Sequence, residues 1–415
     1  NNDADPPNIT INPTADLSVN TVYAISYPSG AFTQSGAGGS FVGTAYTFAT
    51  RNLVDQMWMV GANTKGQLGQ NSSGNYFSSP VQVPGQWSKF SMGAFHTLAT
   101  KTDGTLWAWG DNGAGRLGLN ETHPTGHKSS PVQVGSDTTW NGTLSASYTT
   151  SFAIKTDGTL WGWGNNDSGE QGQNNRTPVN YSSPTQIGSG TDWLSVTAKS
   201  SSSVFAVKTN GTLWSWGDNA NGKLGQNNPT KYSSPTQIPG TTWTSKISSG
   251  HSHFHAIKTD GTLWAVGEAD YGQLGDNTNA SKSSPVQIGS ETTWSSIDTS
   301  KQNSYAKKTD GTFWVWGGNN DAGGLGLNNT TKYSSPVQLP GTTWKAGKGA
   351  GTENVAVVKT DGTLWTWGEG YLGSLAHNSQ TDYSSPVQVP GTTWSKAYGN
   401  YTGGNGRTFI LTKQV

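Results

Sequence analysis

The 415-residue sequence contains no cysteine, so neither a disulfide framework nor a zinc–thiolate site can stabilise it. Charged residues are also scarce, at 12% of the chain with a formal net charge of zero, which disfavours the basic surface typical of nucleic-acid and anionic-membrane binding. No stretch approaches the roughly 18 apolar residues of a membrane span, and no secretion signal is recognisable. We therefore expect stability from packing alone, no nucleic-acid partner and no membrane insertion.

Glycine and tryptophan are abundant instead, with 56 and 19 copies. Together with many Asn, Ser and Thr residues, this composition is typical of all-β proteins with many short strands and turns. The chain begins at Asn1 rather than Met, and we interpret this residue as a boundary made either by processing or by cloning, an interpretation that allows for a missing targeting segment. The localisation is therefore constrained only weakly.

A tryptophan-containing unit recurs seven times along the chain. Its first tryptophan returns every 49 to 54 residues, at Trp58, Trp107, Trp161, Trp214, Trp264, Trp314 and Trp365. A second follows two residues later in five units, with Val60 and Val266 in the other two, and a third closes each unit, at Trp87, Trp140, Trp193, Trp243, Trp294, Trp344 and Trp394. These positions account for every tryptophan, which favours repeated core packing over a dedicated tryptophan-lined site.

Each unit predicts several short antiparallel strands. Alternating β-prone residues at 105–109 (TLWAW) indicate a strand, and Asp103-Gly104 indicates a hairpin turn that joins it to residues 96–101 (HTLATK). A glycine-rich loop with an inward leucine follows, and then Ser-Ser-Pro begins another strand. One such sheet cannot bury its faces alone, whereas seven arranged radially can. The sequence therefore predicts an all-β, seven-bladed β-propeller of about 50-residue repeats.

Residues 93–118 (GAFHTLATKTDGTLWAWGDNGAGRLG) resemble the repeat of the regulator of chromosome condensation family, whose members form seven-bladed β-propellers. The resemblance covers roughly residues 43–413, and the wording of the repeats is similar to that of regular repeat proteins of bacteria and bacteriophages. The sixth unit departs slightly, as GGNNDAGGLG, and the last places Ala376 where a glycine is expected. The resemblance implies a propeller scaffold without implying one particular function.

Two segments compete to close the ring. Residues 43–51 (GTAYTFATR) form an eighth copy of the strand at 93–101, and residues 408–413 form another. We prefer a closure in which residues 408–413 pair with residues 57–61, although the opposite assignment stays open. The domain division that we predict is an N-terminal extension at residues 1–42, which serves as a tether, and a propeller at residues 43–415.

Catalytic motifs are not recognisable. The aspartates of the KTDG turns recur with the repeat, which is typical of turn chemistry, and no nucleophile elbow, phosphate loop or HExxH motif occurs. We predict a protein that is not an enzyme and that uses no cofactor. The lysines before these turns are expected to form an ion-paired rim with the turn aspartates: Lys101, Lys155, Lys208, Lys258, Lys308, Lys359 and Lys413.

Three histidines at strand spacing, His251, His253 and His255, are a weak candidate metal site. The favoured interpretation is different, because His253 occupies the repeat position of His96. The other units place polar residues there, namely Thr150, Ser203, Asn303, Asn354 and Thr408. We expect this polar ring to line the central channel, and we predict no metal.

The copies differ most in the segments that follow the Leu-Gly turn, at residues 120–128, 174–180, 276–282 and 377–382. Specific binding must reside where the copies differ, so we expect these loops to cluster on one side or the outer rim of the ring. The candidate binding residues are Tyr76, Phe77, His123, His127, Arg176, Tyr271, Tyr371 and His377.

The uniform repeats lead to a first hypothesis of a non-enzymatic structural or adhesion protein on the surface of a bacteriophage virion, such as a fibre, decoration or host-attachment part. Residues 1–42 would bind other virion or surface proteins, and the loops would meet a host receptor or glycan. The location would be the virion or an extracellular surface. The alternative is a secreted protein-binding or inhibitor propeller that acts through one rim of loops, and a third hypothesis is a carbohydrate-active enzyme. Exposed aromatic residues on a single rim would favour the binding module.

Overall fold

The computed structural model describes residues 22–25, 46–49, 55–121, 126–177, 180–199, 202–318, 320–350, 353–399 and 408–414. The chain forms two compact units, Asn1–Val54 and Asp55–Val415. In the first unit, β1 (Val22–Ile25) and β2 (Tyr46–Ala49) pair in antiparallel fashion. The domain boundary that the sequence suggested, between residues 42 and 43, lies inside this unit.

The second unit contains seven four-stranded antiparallel sheets, which we number as blades 1 to 7. In chain order the strands are β3 (Asp55–Asn63) and β4 (Asn75–Val83) of blade 1; β5 (Trp87–Met92), β6 (His96–Lys101), β7 (Leu106–Gly110) and β8 (Lys128–Gln133) of blade 2; β9 (Trp140–Ala146), β10 (Thr150–Lys155), β11 (Leu160–Gly164) and β12 (Tyr181–Gln186) of blade 3; β13 (Trp193–Thr197), β14 (Ser203–Lys208), β15 (Leu213–Gly217) and β16 (Tyr232–Ile238) of blade 4; β17 (Trp243–Ser249), β18 (His253–Lys258), β19 (Leu263–Gly267) and β20 (Lys282–Gln287) of blade 5; β21 (Trp294–Thr299), β22 (Asn303–Lys308), β23 (Phe313–Gly317) and β24 (Tyr333–Leu339) of blade 6; β25 (Trp344–Ala350), β26 (Asn354–Lys359), β27 (Leu364–Gly368) and β28 (Tyr383–Val389) of blade 7; and β29 (Trp394–Gly399) and β30 (Thr408–Gln414), which complete blade 1.

Among the residues that the structure describes, three short 3-10 helices lie in the loops that follow third strands, at Gly113–Gly115, Ala220–Gly222 and Tyr371–Gly373. In the described residues, no helix has the length and apolar character that a membrane crossing requires.

The ring closes through β30, which lies between β29 and β3 in blade 1. Trp58 lies opposite Leu411, so the two ends of the propeller share one sheet. This pairing confirms the closure by residues 408–413. It also leaves the terminal strand without an open edge, since β30 is hydrogen-bonded to β29 on one side and to β3 on the other.

Each blade adds its strands from the centre outward. First strands of neighbouring blades contact one another around the ring, including β29 against β5, so they line the central channel and the fourth strands form the outer rim. The core lies between blades: Trp109 of blade 2 is fully buried against Met59 and Leu68 of blade 1. The second tryptophan is fully buried in the five units that have it, and the third is nearly so in all seven, which confirms repeated core packing of these two positions.

The KTDG turns have one hydrogen-bonding pattern. In blade 2, the Asp103 carboxylate accepts bonds from the Thr105 amide at 3.0 Å and the Thr105 hydroxyl at 2.6 Å. The same hydroxyl accepts a bond from Trp107 Nε1 at 2.8 Å. The pattern recurs in five further blades, with Asn210 replacing the aspartate in one of them. The repeated aspartates are therefore turn residues, as the sequence indicated.

A loop from each blade is bound to the outer strand of the next blade. Each loop contains an asparagine whose backbone N–H donates to the carbonyl oxygen of the first serine of Ser-Ser-Pro, at 2.8 to 2.9 Å. The seven pairs, which we call latches, are Asn71–Ser129, Asn120–Ser182, Asn174–Ser233, Asn227–Ser283, Asn277–Ser334, Asn328–Ser384 and Asn378–Ser78. The last latch joins blade 7 to blade 1, so backbone hydrogen bonds run around the whole ring.

The latches explain two repeated motifs. All seven latch asparagines have a positive φ, between 54° and 62°, a region in which asparagine is tolerated better than most residues. Five residues before Asn71, Gly66 has a φ of 78°, and a Cβ at this position would lie 2.7 Å from Ser129 Cα. The glycine and the Ser-Ser-Pro motif therefore recur because neighbouring backbones touch there.

Candidate binding surface

The antiparallel pairing fixes which residues share an end of each blade. In blade 2, Trp87 lies opposite Lys101 at one end, and His96 lies opposite Gly110 at the other. We call the first end, which carries the KTDG turns, the turn face. We call the second end, where the long loops leave the third strands, the loop face. The other blades repeat this pairing, so the ring has one face of each kind.

The variable segments all leave third strands on the loop face and continue to the outer strands. The structure places in or beside them Tyr76, Phe77, His127, Arg176, Tyr271, Tyr371 and His377. His123 lies outside the described residues. The candidates therefore share one face and the outer rim, but they differ in what they contact.

Three tyrosines are the exposed members of this set. Tyr76, Tyr271 and Tyr371 are 43%, 40% and 43% exposed. Tyr76 and Tyr371 belong to one junction between blades 7 and 1, because Gly373 and Ser78, each two residues further on, are in close contact. Gln380 Nε2 donates to the Tyr76 hydroxyl at 3.2 Å. This junction presents two aromatic rings with a polar neighbour.

Tyr271 lies at the junction between blades 5 and 6. Its ring is 5.6 Å from the ammonium of Lys332, which precedes the outer strand of blade 6. Cation–π contacts of this kind orient a ring without burying it. The Tyr271 ring is thus held at the surface of the loop face.

Phe77 and His377 are partly buried and contact other residues of the propeller, and a role of either in binding a partner stays a prediction. Phe77 packs against the cluster that contains Met59 and Trp109. His377 Nε2 lies 2.9 Å from the Thr366 hydroxyl, and its partial burial lowers its pKa. Tyr76 and Phe77 are successive residues of β4, whose side chains point to opposite faces of the sheet, and the sequence did not show which face is covered by the neighbouring blade.

His127 and Arg176 are engaged in contacts at blade junctions. His127 Nδ1 lies 3.0 Å from the Asp111 carboxylate, and its Nε2 lies 3.4 Å from Lys65 Nζ of blade 1. Arg176 donates to the carbonyl oxygen of Lys231, which precedes the outer strand of the next blade. These two candidates hold neighbouring segments together. Among the candidates, the exposed aromatic area therefore comes from the three tyrosines, and Tyr148, between β9 and β10, adds a further ring that is 41% exposed.

The three histidines of the weak metal candidate bind separate partners. His251 Nδ1 lies 3.0 Å from the Ser252 hydroxyl, and His253 Nε2 lies 3.2 Å from the Ser304 hydroxyl. His255 Nε2 lies 3.1 Å from the Leu274 carbonyl oxygen, and burial lowers the pKa of His255 to about 4. Within the described residues, no group of three His, Cys, Asp or Glu side chains could hold a metal ion.

The polar ring that includes His96 and His253 does not line the channel, contrary to expectation. Its seven members begin the second strands and are all buried, at 0% to 7% exposure. His96 Nε2 instead lies 2.8 Å from the Ser151 hydroxyl of the next blade, and that hydroxyl donates to the Arg116 carbonyl oxygen. His96 and, through Ser304, His253 therefore connect adjacent blades behind the channel wall, whereas members such as Thr150 and Ser203 bond within their own blades.

The channel contains a charged pair that sequence reasoning missed. Lys199 Nζ contacts the Asp298 carboxylate across the ring, from blade 4 to blade 6, and Asp298 is 2% exposed. The Ser248 hydroxyl, from the blade between them, also donates to Asp298 at 3.1 Å. The cavity here is about 230 Å³. Neither residue belongs to a repeat motif. The signal that the sequence carries is a charged residue at each of these two positions, outside the repeated motifs.

Comparison with known proteins agrees with this geometry. The model of the regulator of chromosome condensation (RCC1) repeat matches residues 55–100, 103–146, 210–257, 260–306 and 361–397, which is more than half of the chain. The chain belongs to the RCC1 repeat family. A second RCC1 repeat model matches residues 87–116 and 143–170 of this propeller.

Curated relatives share only part of their length with this RCC1-repeat protein. The human probable E3 ubiquitin-protein ligase HERC6 is 30% identical over 172 residues, 40% of this chain and 17% of the ligase. The human X-linked retinitis pigmentosa GTPase regulator is 31% identical over 150 residues, 34% of this chain and 14% of the regulator. The zebrafish (Danio rerio) protein RCC2 homolog is 28% identical over 189 residues, 46% of this chain and 35% of that protein. The chain thus spans about a third or less of these eukaryotic relatives.

Solved structures of RCC1-repeat propellers have the same fold. Prp20p of Saccharomyces cerevisiae superposes with a TM-score of 0.76 at 18% identity, covering 88% of this chain and 92% of Prp20p. Human WBSCR16 gives a TM-score of 0.74 at 17% identity, with 87% and 99% covered. At these identities the likeness establishes the fold alone. The similarity to bacterial and bacteriophage proteins that the sequence suggested stays a prediction.

Proposed function

We propose that this RCC1-repeat protein is a non-enzymatic binding module that contacts a partner protein through its loop face. The observation that carries the proposal is the exposure of Tyr76, Tyr271 and Tyr371, each at least 40%, on that one face. Tyrosine supplies a large, rigid contact area at low cost in side-chain entropy, which is why it is enriched in protein-binding surfaces. An aromatic rim was the feature expected of a binding module rather than of a plain spacer.

The scaffold suits this role because it holds its loops in place. Seven latches bind each variable loop to the following blade through a backbone hydrogen bond. A loop that is already ordered loses little conformational entropy when it binds, so more of the contact energy appears as affinity. The uniform blades then serve as a frame, and the differing residues provide selectivity.

A protein is the favoured class of partner. The study that solved the structure of Prp20p concerns its binding to Gsp1p and histones, so the same fold binds proteins in that case. In this chain, the exposed ring of Tyr76 lies beside the neutral amide of Gln380, and that of Tyr271 lies beside the ammonium of Lys332. This chemistry matches a partly apolar protein surface.

The binding test compares three forms of the full chain as baits for proteins of the source sample. The first is the unchanged protein, the second carries Tyr76→Ser, Tyr271→Ser and Tyr371→Ser, and the third carries Leu194→Ser. Leu194 is a suitable control, since it is 43% exposed but lies beside Trp193 at the turn-face end of its strand. We expect a partner that the unchanged protein and the control retain and the triple variant loses. Equal retention by all three would refute a role for the loop face.

The setting that we propose remains the surface of a bacteriophage virion, as a structural or adhesion component anchored by residues 1–42. The regular repeats and the neutral, cysteine-free composition support it. Mass spectrometry of purified virus particles, searched for residues 156–176 (TDGTLWGWGNNDSGEQGQNNR), tests this setting. Stoichiometric recovery from particles would support it. Recovery from the secreted fraction alone would contradict it and favour a secreted binding propeller.

A further inference from the structure

The turn face contains one arrangement that occurs in all seven blades. The lysine at the end of each second strand places its ammonium 3.6 to 5.5 Å from the ring centres of two tryptophans, as Lys101 does with Trp87 and Trp107. The cation–π contacts hold each ammonium in a fixed position. The turn aspartates bind Thr residues of their own turns, so they are not the ion-pair partners that the sequence suggested.

Three of these lysines are paired with an acid from another loop. Lys155 Nζ lies 2.8 Å from Asp137, Lys208 Nζ lies 2.9 Å from Asp192, and Lys308 contacts Glu291. All three acids lie in the loop between the fourth strand of one blade and the first strand of the next, and this loop begins with Gly-Ser in each case: residues 135–139, 188–192 and 289–293. A carboxylate thus fits the lysine–tryptophan site, since the protein itself places one there three times.

The other four blades have a shorter loop that begins with Pro-Gly and contains no acid: residues 84–86, 239–242, 340–343 and 390–393. Among the described residues, the lysines of these blades have no carboxylate within ion-pair distance: Lys101, Lys258, Lys359 and Lys413. Lys258 and Lys359 line open grooves of about 290 and 350 Å³ between adjacent blades. The site is therefore present in these blades without its internal carboxylate.

Three of the four blades are neighbours. Blades 7, 1 and 2 supply Lys359, Lys413 and Lys101, and their first strands add Lys345, Lys396 and Lys89 close to the turn face. The first strands of the acid-containing blades 3, 4 and 6 have no lysine. We call the six lysines of blades 7, 1 and 2 named above the basic sector. On the turn face of blades 7, 1 and 2, the acids whose side chains the structure describes are the turn aspartates Asp103 and Asp361.

We propose that the basic sector binds an acidic peptide segment of a partner protein, whose carboxylates occupy the positions that Asp137, Asp192 and Glu291 occupy in the other blades. This surface lies on the face opposite the exposed tyrosines, so the proposal is independent of the loop-face function. Carboxylate is favoured over phosphate because carboxylates are the groups that this chain itself places at the site. Several lysines at fixed spacing reward a ligand with repeated charges.

The first experiment measures the binding of a labelled oligoglutamate peptide to the full chain by fluorescence anisotropy at low and moderate salt. The sector variant is Lys101→Gln, Lys359→Gln and Lys413→Gln, and the matched control is Lys155→Gln, Lys208→Gln and Lys308→Gln. We expect the sector variant to lose affinity by about tenfold, since each exposed ion pair contributes modestly, and the control to bind as the unchanged protein does. Equal losses in both variants, or no binding by the unchanged protein, would overturn the proposal.

A loop graft tests the same site while keeping every lysine. Residues 390–393 (PGTT) are replaced by the GSDTT of residues 135–139, which brings an internal carboxylate to Lys413. The control graft is GSNTT. We expect weaker oligoglutamate binding with GSDTT only; equal binding by both grafts would count against the proposal. Oligodeoxythymidine that binds as tightly as oligoglutamate would also overturn it, because the sector would then be a general anion surface.

Discussion

Replacement of Gly275 by alanine should destabilise the propeller much more than the same replacement of Gly225. The two glycines occupy the same repeat position with similar φ values of 83° and 73°. A Cβ at Gly275 would lie 2.6 Å from Nε1 of Trp316 in the next blade. At Gly225 the nearest atom would be Ile238 Cδ1 at 3.3 Å, because the next blade has Val266 in place of the tryptophan. Both replacements therefore place an alanine in the same left-handed backbone conformation, and they differ only in the contact that the new Cβ makes with the next blade.

The expected magnitudes follow from these contacts. A left-handed backbone costs an alanine about 1 to 2 kcal/mol relative to glycine at either position. At Gly275, Trp316 must also move away from the Gln273 carbonyl oxygen, to which its Nε1 donates at 3.0 Å, and the ring is fully buried. A buried donor that loses its partner costs about 1 to 3 kcal/mol more. Gly275→Ala should therefore exceed Gly225→Ala by about 2 kcal/mol.

The protein itself contains the compensated version of this pair. In blade 7 the position is Ala376, with a φ of 67°, and it packs in one cluster with Val60 of blade 1, where other blades have tryptophan. Trp316→Val combined with Gly275→Ala rebuilds this pair between blades 5 and 6. In the Trp316→Val background, Gly275→Ala should cost only the backbone term.

Urea unfolding followed by far-ultraviolet circular dichroism measures these differences, provided that the slopes of the transitions agree. The double-mutant cycle then gives the coupling between Gly275 and Trp316 directly. Equal midpoint shifts for Gly275→Ala and Gly225→Ala, or a coupling of zero, would refute the idea that the neighbouring indole requires the glycine.

Three further predictions concern buried polar groups. Burial lowers the pKa of His255 from its usual 6.5 to about 4, so between these pH values the folded protein binds fewer protons than the unfolded chain. The free energy of unfolding should therefore fall by about 3 kcal/mol as the pH drops from 6.5 to 4, and a His255→Gln variant should show a weaker decline in its urea midpoint over that range. Lys199→Met leaves the Asp298 carboxylate buried without its cation and should cost about 3 kcal/mol at neutral pH, a loss that Lys199→Met with Asp298→Leu should largely recover; no recovery would argue against the pair. Thr105→Val removes the hydroxyl between Asp103 and Trp107 and should lower stability by about 1 kcal/mol, whereas Thr105→Ser should keep most of it, as thermal unfolding would show.

Much of the fold was predictable because its information is local or periodic. The spacing of the tryptophans gave the number of blades, and the Asp-Gly turns gave the hairpins. Charge balance was less informative. Lys155 pairs with Asp137, which lies in a different loop. The turn aspartate that follows Lys155 in the sequence, Asp157, is instead hydrogen-bonded to Thr159. A neutral total therefore concealed the basic sector.

The candidate surface was predictable only in outline. The variable segments indicated the right loops, but Phe77 packs into the core while Tyr76, its neighbour, is exposed. Both residues lie in β4, where successive side chains point to opposite faces of the sheet, and which face is covered depends on the neighbouring blade, which the local sequence does not describe.

The sequence by itself determined the repeat, the strands, the turns and the tryptophan core, since each is specified by residues close together or at a fixed period. The tertiary structure decided which contacts cross between blades: the closure of blade 1, the latch from Asn378 to Ser78, the pairing of Lys199 with Asp298 and the fit of Ala376 against Val60. These contacts join residues far apart in the chain, and only the closed ring brings them within bonding distance.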